Sequence, residues 1–115
     1  MRFIGIDLHN DSFLVVIIDA ENNLIEKYVV NIGNRRQFRR FLKSLRKEDY
    51  VAFETTSNSF WLYDQIKNLV KAVYVINTHK FFPNKKMHKK TDFKDGLKIS
   101  KELRRYVLFK GDDVD

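Results

Sequence analysis

Apolar positions follow two rhythms along the chain. Arg2-Phe-Ile-Gly-Ile-Asp7 is a short apolar run that ends in an acid, Ser12 to Asp19 is a β-branched run, and Leu24 to Asn31 alternates more loosely. Turn-forming residues separate them, His9-Asn10-Asp11 and then Asp19-Ala-Glu-Asn-Asn23, so the spacing predicts a three-strand antiparallel meander. From Asn34, a good N-cap, Phe38, Phe41, Leu42 and Leu45 recur at helical spacing and predict an amphipathic helix. Tyr50 to Glu54 reads as a short buried strand, again ending in an acid. Ser57 or Asn58 is placed to cap a second helix bearing Trp61, Leu62, Ile66 and Leu69, with Trp61 expected in the core. Ala72 to Ile76 is another buried strand. The segment from Thr78 to Lys90 then breaks the pattern and holds the single proline. Thr91 caps a final helix that carries Asp92, Asp95, Ile99 and Leu103 along one side.

Strands thus alternate with helices after an opening meander. The two short strands at 50–54 and 72–76, apolar throughout, predict parallel strands covered on both faces. The expected fold class is α/β, a mixed five-stranded sheet flanked by helices.

Composition narrows the class. The chain has 115 residues, of which 43% are hydrophobic, enough for one packed domain and too many for a disordered tail. The longest apolar run, Phe13 to Ile18, spans six residues and is far too short to cross a membrane, so no membrane partner is expected. With no cysteine there is neither a disulfide framework nor a thiolate zinc site, and a cytoplasmic location is the default.

Charge changes the picture more than its total of +7 suggests. Residues 35–47 hold Arg35, Arg36, Arg39, Arg40, Lys43, Arg46 and Lys47 without an acid. Residues 79–110 set eleven Lys and Arg against Asp92, Asp95 and Glu102, a local +8. Blocks of this kind attract polyanions, nucleic acid first among them, although a solvated helix face has the same composition. Lys80, Lys85, Lys86, Lys89, Lys90 and Lys94 are the candidate nucleic-acid contacts. Phe81 and Phe82 among them either plug a sheet edge or stack on bases. His9 and His88 fit surface or hydrogen-bonding roles better than metal ligation.

Asp7 and Glu54 end strands, and ligands of open α/β sheets bind beyond the carboxyl ends of parallel strands. Neighbouring strands lie about 4.8 Å apart, so two such acids can share one small site. Asp92 and Asp95 share a helical face. If that helix crosses the same end of the sheet, four carboxylates converge, which needs protons or cations to be tolerable. Oxygen-only ligands favour Mg²⁺ or Mn²⁺, and a pair of such ions suits phosphodiester chemistry. Each acid alone also fits a commoner role, as a cap, a helix-dipole partner or half of an ion pair.

At these residues the chain resembles a known family. Phe3-Ile-Gly-Ile-Asp7, Phe53-Glu54-Thr-Thr-Ser-Asn-Ser-Phe-Trp61, Val75-Ile-Asn77 and Lys90-Thr-Asp92-Phe-Lys-Asp95 are similar in order and spacing to the N-terminal domain of IS110-family transposases and Piv-type DNA invertases. The resemblance runs from residue 3 to about residue 109. It implies a RuvC-like member of the RNase H fold whose acids, here Asp7, Glu54, Asp92 and Asp95, form a catalytic DEDD site for Mg²⁺ or Mn²⁺. The implied substrate is DNA. Relatives use guide RNA and act as homo-oligomers at full length, and neither property is carried by a residue here. Relatives usually have Glu-Ala-Thr-Gly where this chain has Glu54-Thr-Thr-Ser57, and Ala where it has Gly96. They also continue into a second domain with a serine nucleophile, so 1–109 is expected to be the catalytic domain, 110–115 a tail, and Ser12, Ser44, Ser57, Ser59 and Ser100 no substitute.

Two other functions fit less well. One is a nucleic-acid-binding module of the same fold without catalysis. The other is an actin-like ATPase fragment, suggested by Phe3 to Asp7 and the following hairpin but poor in the glycine-rich phosphate loops such proteins use, with four Gly in all.

Overall fold

The computed structural model describes residues 1–56, 58–76 and 92–110, with side chains for all of these except 92–94 and 110. Five strands and three helices are seen: β1 (Arg2–Leu8), β2 (Ser12–Asp19), β3 (Leu24–Asn31), α1 (Arg35–Ser44), β4 (Tyr50–Glu54), α2 (Ser59–Ile66), β5 (Ala72–Ile76) and α3 (Asp92–Arg105). A π-helical turn, Tyr106–Lys110, continues α3. The sheet order is β3-β2-β1-β4-β5. The meander is antiparallel, and β4 and β5 add to β1 in parallel. The expected mixed sheet is therefore the one observed.

Local chemistry explains the turns and caps. Asn22 takes the left-handed conformation, φ 72°, in the β2–β3 turn, where asparagine is tolerated. Asp19 Oδ1 accepts from the Asn23 and Glu21 backbone N–H groups at 2.8 and 3.0 Å. Asn34 caps α1 by accepting from the Gln37 N–H at 3.1 Å. Asn58 stands at the cap position of α2 but makes no capping bond. Its amide instead donates to the His9 and Asn10 carbonyls at 3.3 and 3.4 Å, tying α2 to the β1–β2 turn. Ser57 and Thr91, the other expected caps, lie outside the described residues.

Alternation along the strands divides the interior into two cores. Ile4, Ile6, Phe13, Val15, Val51 and Phe53 face α1 and α2, and pack on Phe41, Leu62 and Ile66. Phe3, Ile18, Ala52 and Ile76 face α3 and pack on Ile99 and Leu103. Two expectations need correction. β5 lies at the edge of the described sheet and its Val75 is 37% exposed, so this strand is not covered on both faces. Trp61 is not in the core: it stacks on Phe38 at 5.1 Å and remains 37% exposed, since Leu62 and Ile66 already fill the buried stripe of this short helix.

One buried ion pair fastens the start of β1 to the α1–β4 connection. Asp49 is wholly buried, and its carboxylate accepts from Arg2 Nε at 2.9 Å, Arg2 Nη2 at 2.7 Å and the Arg46 N–H at 2.8 Å. Those bonds hold the Arg2 guanidinium above its ordinary value, against the opposing effect of burial.

Candidate functional site

Asp7 and Glu54 are brought together by strand pairing. β1 and β4 are adjacent and parallel, registered through Gly5↔Ala52 and Ile6↔Phe53. Asp7 and Glu54 each follow the last of these pairs at the carboxyl ends of their strands. Alternation turns both toward α3, the face shared by Phe3, Gly5 and Ala52. Asp7 is 8% exposed, and its Oδ2 is sealed from solvent 3.3 Å from His9 Nε2. That contact is an ion pair only when the imidazole is protonated. Glu54 is half-buried.

α3 reaches the same end of the sheet by an unusually close approach. A Cβ built on Gly5 would stand 2.6 Å from the Ser100 backbone nitrogen and closer still to the Gly96 carbonyl oxygen. Gly96 itself sits on β2, where an added Cβ would meet Val16 Cγ2 at 2.7 Å. The helix therefore rests on the central strand through two positions that lack side chains. Asp95, half-buried, immediately precedes Gly96, and Asp92 is the first described residue of the helix.

The four expected acids are thus distributed as two strand ends and the described start of the helix laid against that face. Among the described residues, no three His, Cys, Asp or Glu side chains gather closely enough to hold a metal ion. Asp7, Glu54 and Asp95 were available to form such a group, whereas the side chain of Asp92 lies outside the described set, as does that of Lys94. Lys80, Lys85, Lys86, Lys89 and Lys90, with Phe81, Phe82 and His88, also lie outside the described residues. The donor chemistry, carboxylate oxygen from two neighbouring strands, fits a hard divalent cation.

The glycine pair was not recognised from sequence as part of the site. Its signal was a glycine in the middle of an apolar strand, which marks close approach of another backbone. The serine hydroxyls of α1, α2 and α3 donate to carbonyls three residues back: Ser44, Ser59 and Ser100 to those of Phe41, Thr56 and Leu97 at 2.6, 2.8 and 2.9 Å.

A five-stranded mixed sheet in this order, with two of the described helices on one face and one on the other, is the RNase H-like fold. A solved structure of RuvC from Thermus thermophilus superposes with a TM-score of 0.57 at 15% sequence identity, covering 93% of this chain and 95% of that one. The ethanolamine utilization protein EutJ from Carboxydothermus hydrogenoformans overlaps 65% of this chain and 37% of its own, at 11% identity and a TM-score of 0.36. No protein-family model matches the chain, and no curated protein matches it. Within the described residues no helix is long and apolar enough to cross a membrane.

Proposed function

We propose that the chain is the carboxylate-bearing domain of an IS110-type transposase or DNA recombinase, with Asp7, Glu54, Asp92 and Asp95 holding Mg²⁺ or Mn²⁺ against a DNA phosphodiester. The observation that carries this reading is the pairing of Asp7 and Glu54 at adjacent parallel strand ends, under the helix that Asp92 opens. The motif from Lys90 to Asp95 supports it, because the two remaining acids of the resemblance fall on that helix. A divalent ion held by these acids would supply Lewis-acid polarisation of the phosphodiester. Asp7 and Glu54 fix its position from the rigid sheet, and α3 adds its carboxylates from the side. Lys80, Lys85, Lys86, Lys89, Lys90 and Lys94 draw in the DNA backbone. The nucleophilic serine, guide RNA and homo-oligomeric assembly belong to the same proposal, with the serine supplied from outside these residues.

The competing reading is a binding module without catalysis, favoured by the lack, among the described residues, of three gathered acids. Melting scans separate the two. A cation that binds only the folded chain stabilises it by about 2.7 kcal/mol at a hundredfold excess over Kd. Mn²⁺ should raise the midpoint of the wild type and not that of Asp7→Asn or Glu54→Gln. Equal shifts in all three proteins, or none in any, refute the metal site. Supercoiled DNA with Mn²⁺ should show at most slow nicking, lost in Asp92→Asn, and no strand exchange.

A further inference from the structure

The face of the sheet opposite the acids carries a second set of unassigned features. α1 presents Arg35, Arg36, Arg39, Arg40 and Lys43 to solvent, and no ion pair engages any of them among the described residues. Five uncompensated cations on ten residues of helix hold a strong positive potential. Arg35 and Arg39, one turn apart, form a ridge between two grooves.

On one side of the ridge is an apolar groove of about 370 Å³, floored by the Phe38–Trp61 stack and Leu42. This volume lies within the range of about 300–1,000 Å³ that holds small planar ligands. On the other side is an open polar groove of about 1160 Å³, lined by Asn10, Asn31, Asn34 and Arg36, with Asp11 the acid in its wall. Asn10 and Asp11 also border a third groove that reaches Thr56, Asn58 and His9. His9 is the residue in contact with Asp7. The three depressions therefore run in sequence from Trp61, over the arginine ridge, to the carboxyl end of β1.

We propose that this path binds single-stranded nucleic acid, with a base on Trp61 and the backbone phosphates on Arg35, Arg36 and Arg39. A half-exposed indole beside guanidinium groups gives what a sequence-tolerant single-strand site requires: an aromatic platform next to a cationic track. Duplex DNA, whose bases are stacked inside, cannot use the platform. An acidic protein segment would satisfy the arginines but leave the aromatic groove empty. Binding on this path is independent of the metal reading. Only its destination, the end of β1, rests on that reading.

Trp61 is the one tryptophan of the chain, so its emission reports the proposed stack directly. Titration of the full chain with oligothymidylate at low salt should quench that emission, and duplex DNA should quench it far less. Arg35→Ala/Arg39→Ala, on the exposed face, should fold normally and lose the quenching. Loss of two single-strand phosphate contacts should lower the log–log salt slope of binding by about 1.4. Asp7→Asn and the variant with alanine at Lys85, Lys86, Lys89 and Lys90 should both keep the quenching, so failure of the metal site and failure of this path give different results. The proposal is overturned if oligothymidylate leaves Trp61 emission unchanged. Equal quenching by duplex DNA or polyglutamate overturns it too, as does quenching that survives in the double arginine variant.

Discussion

Replacing Gly5 by alanine asks whether the carboxylate face is held together by contact of backbone with backbone. The new methyl would meet the Ser100 nitrogen at 2.6 Å, the Ser100 Cα at 3.1 Å and the Gly96 carbonyl oxygen. All three belong to the main chain of α3, so no rotamer change relieves the overlap. Ordinary contact begins near 3.4 Å, and α3 must rise from the sheet to restore it. A gap of about 1 Å forfeits a quarter to a half of the dispersion attraction between facing atoms. Ile99 and Leu103, buried against Phe3, Ile18 and Ala52, would lose that share of their packing. Overpacking of a core costs about 1–3 kcal/mol, and a rigid backbone collision belongs at the upper end. For a domain of this size that lowers the melting midpoint by about 10 °C. Gly33→Ala is the matched control, because a Cβ there meets nothing within 4 Å. It should be neutral or stabilising by up to about 1 kcal/mol. Circular dichroism melts of the three proteins, with and without Mn²⁺, form the assay. Under the proposed metal site, Gly5→Ala should also lose any Mn²⁺ shift although no acid has changed, because α3 would carry Asp92 and Asp95 away from the strand ends of Asp7 and Glu54. A midpoint within about 2 °C of wild type would mean that α3 does not rest on β1 at this point.

Asp49→Asn strips a buried guanidinium of its counter-charge and should cost about 3–5 kcal/mol in urea unfolding. An apolar pair at positions 2 and 49 should recover much of that loss. Asp19, whose carboxyl is held below its usual range chiefly by the Asn23 backbone N–H, contributes stability above the ordinary carboxylate range. That contribution disappears as pH falls through the lowered value, and Asp19→Asn should flatten this part of the acid limb in urea midpoints measured against pH.

Strand and helix order was legible because the apolar patterns are strong: β2, β3, β4 and β5 begin and end where the patterning places them. The adjacency of Asp7 and Glu54 followed from two strand ends and parallel pairing. Trp61 was misplaced because helical spacing does not say where the buried stripe ends, and on eight residues Leu62 and Ile66 suffice. Asp49 was invisible for a different reason. Its partner Arg2 is 47 positions away, and nothing local marks a buried charge. Nor does the spacing of Gly5 and Gly96 announce that they meet, since that depends on where α3 lands. The slip in the β2–β3 ladder between Ile17 and Ile18 likewise has no marker in that apolar run.

The two faces of this sheet differ in how they are tied into the chain. α1 connects β3 to β4 and α2 connects β4 to β5, so both are anchored by strands at each end. α3 follows the last of the described strands, and every described ladder of the sheet is complete without it. Its release is expected as a separate opening reaction that leaves these ladders paired while uncovering Phe3, Ile18 and Ala52. In native-state hydrogen exchange, the amides of α3 should exchange as one cooperative unit before those of β1 and β4. In the proposed metal site Asp7 and Glu54 belong to the sheet and Asp92 and Asp95 to α3, so a ligand held between the two pairs would oppose that opening.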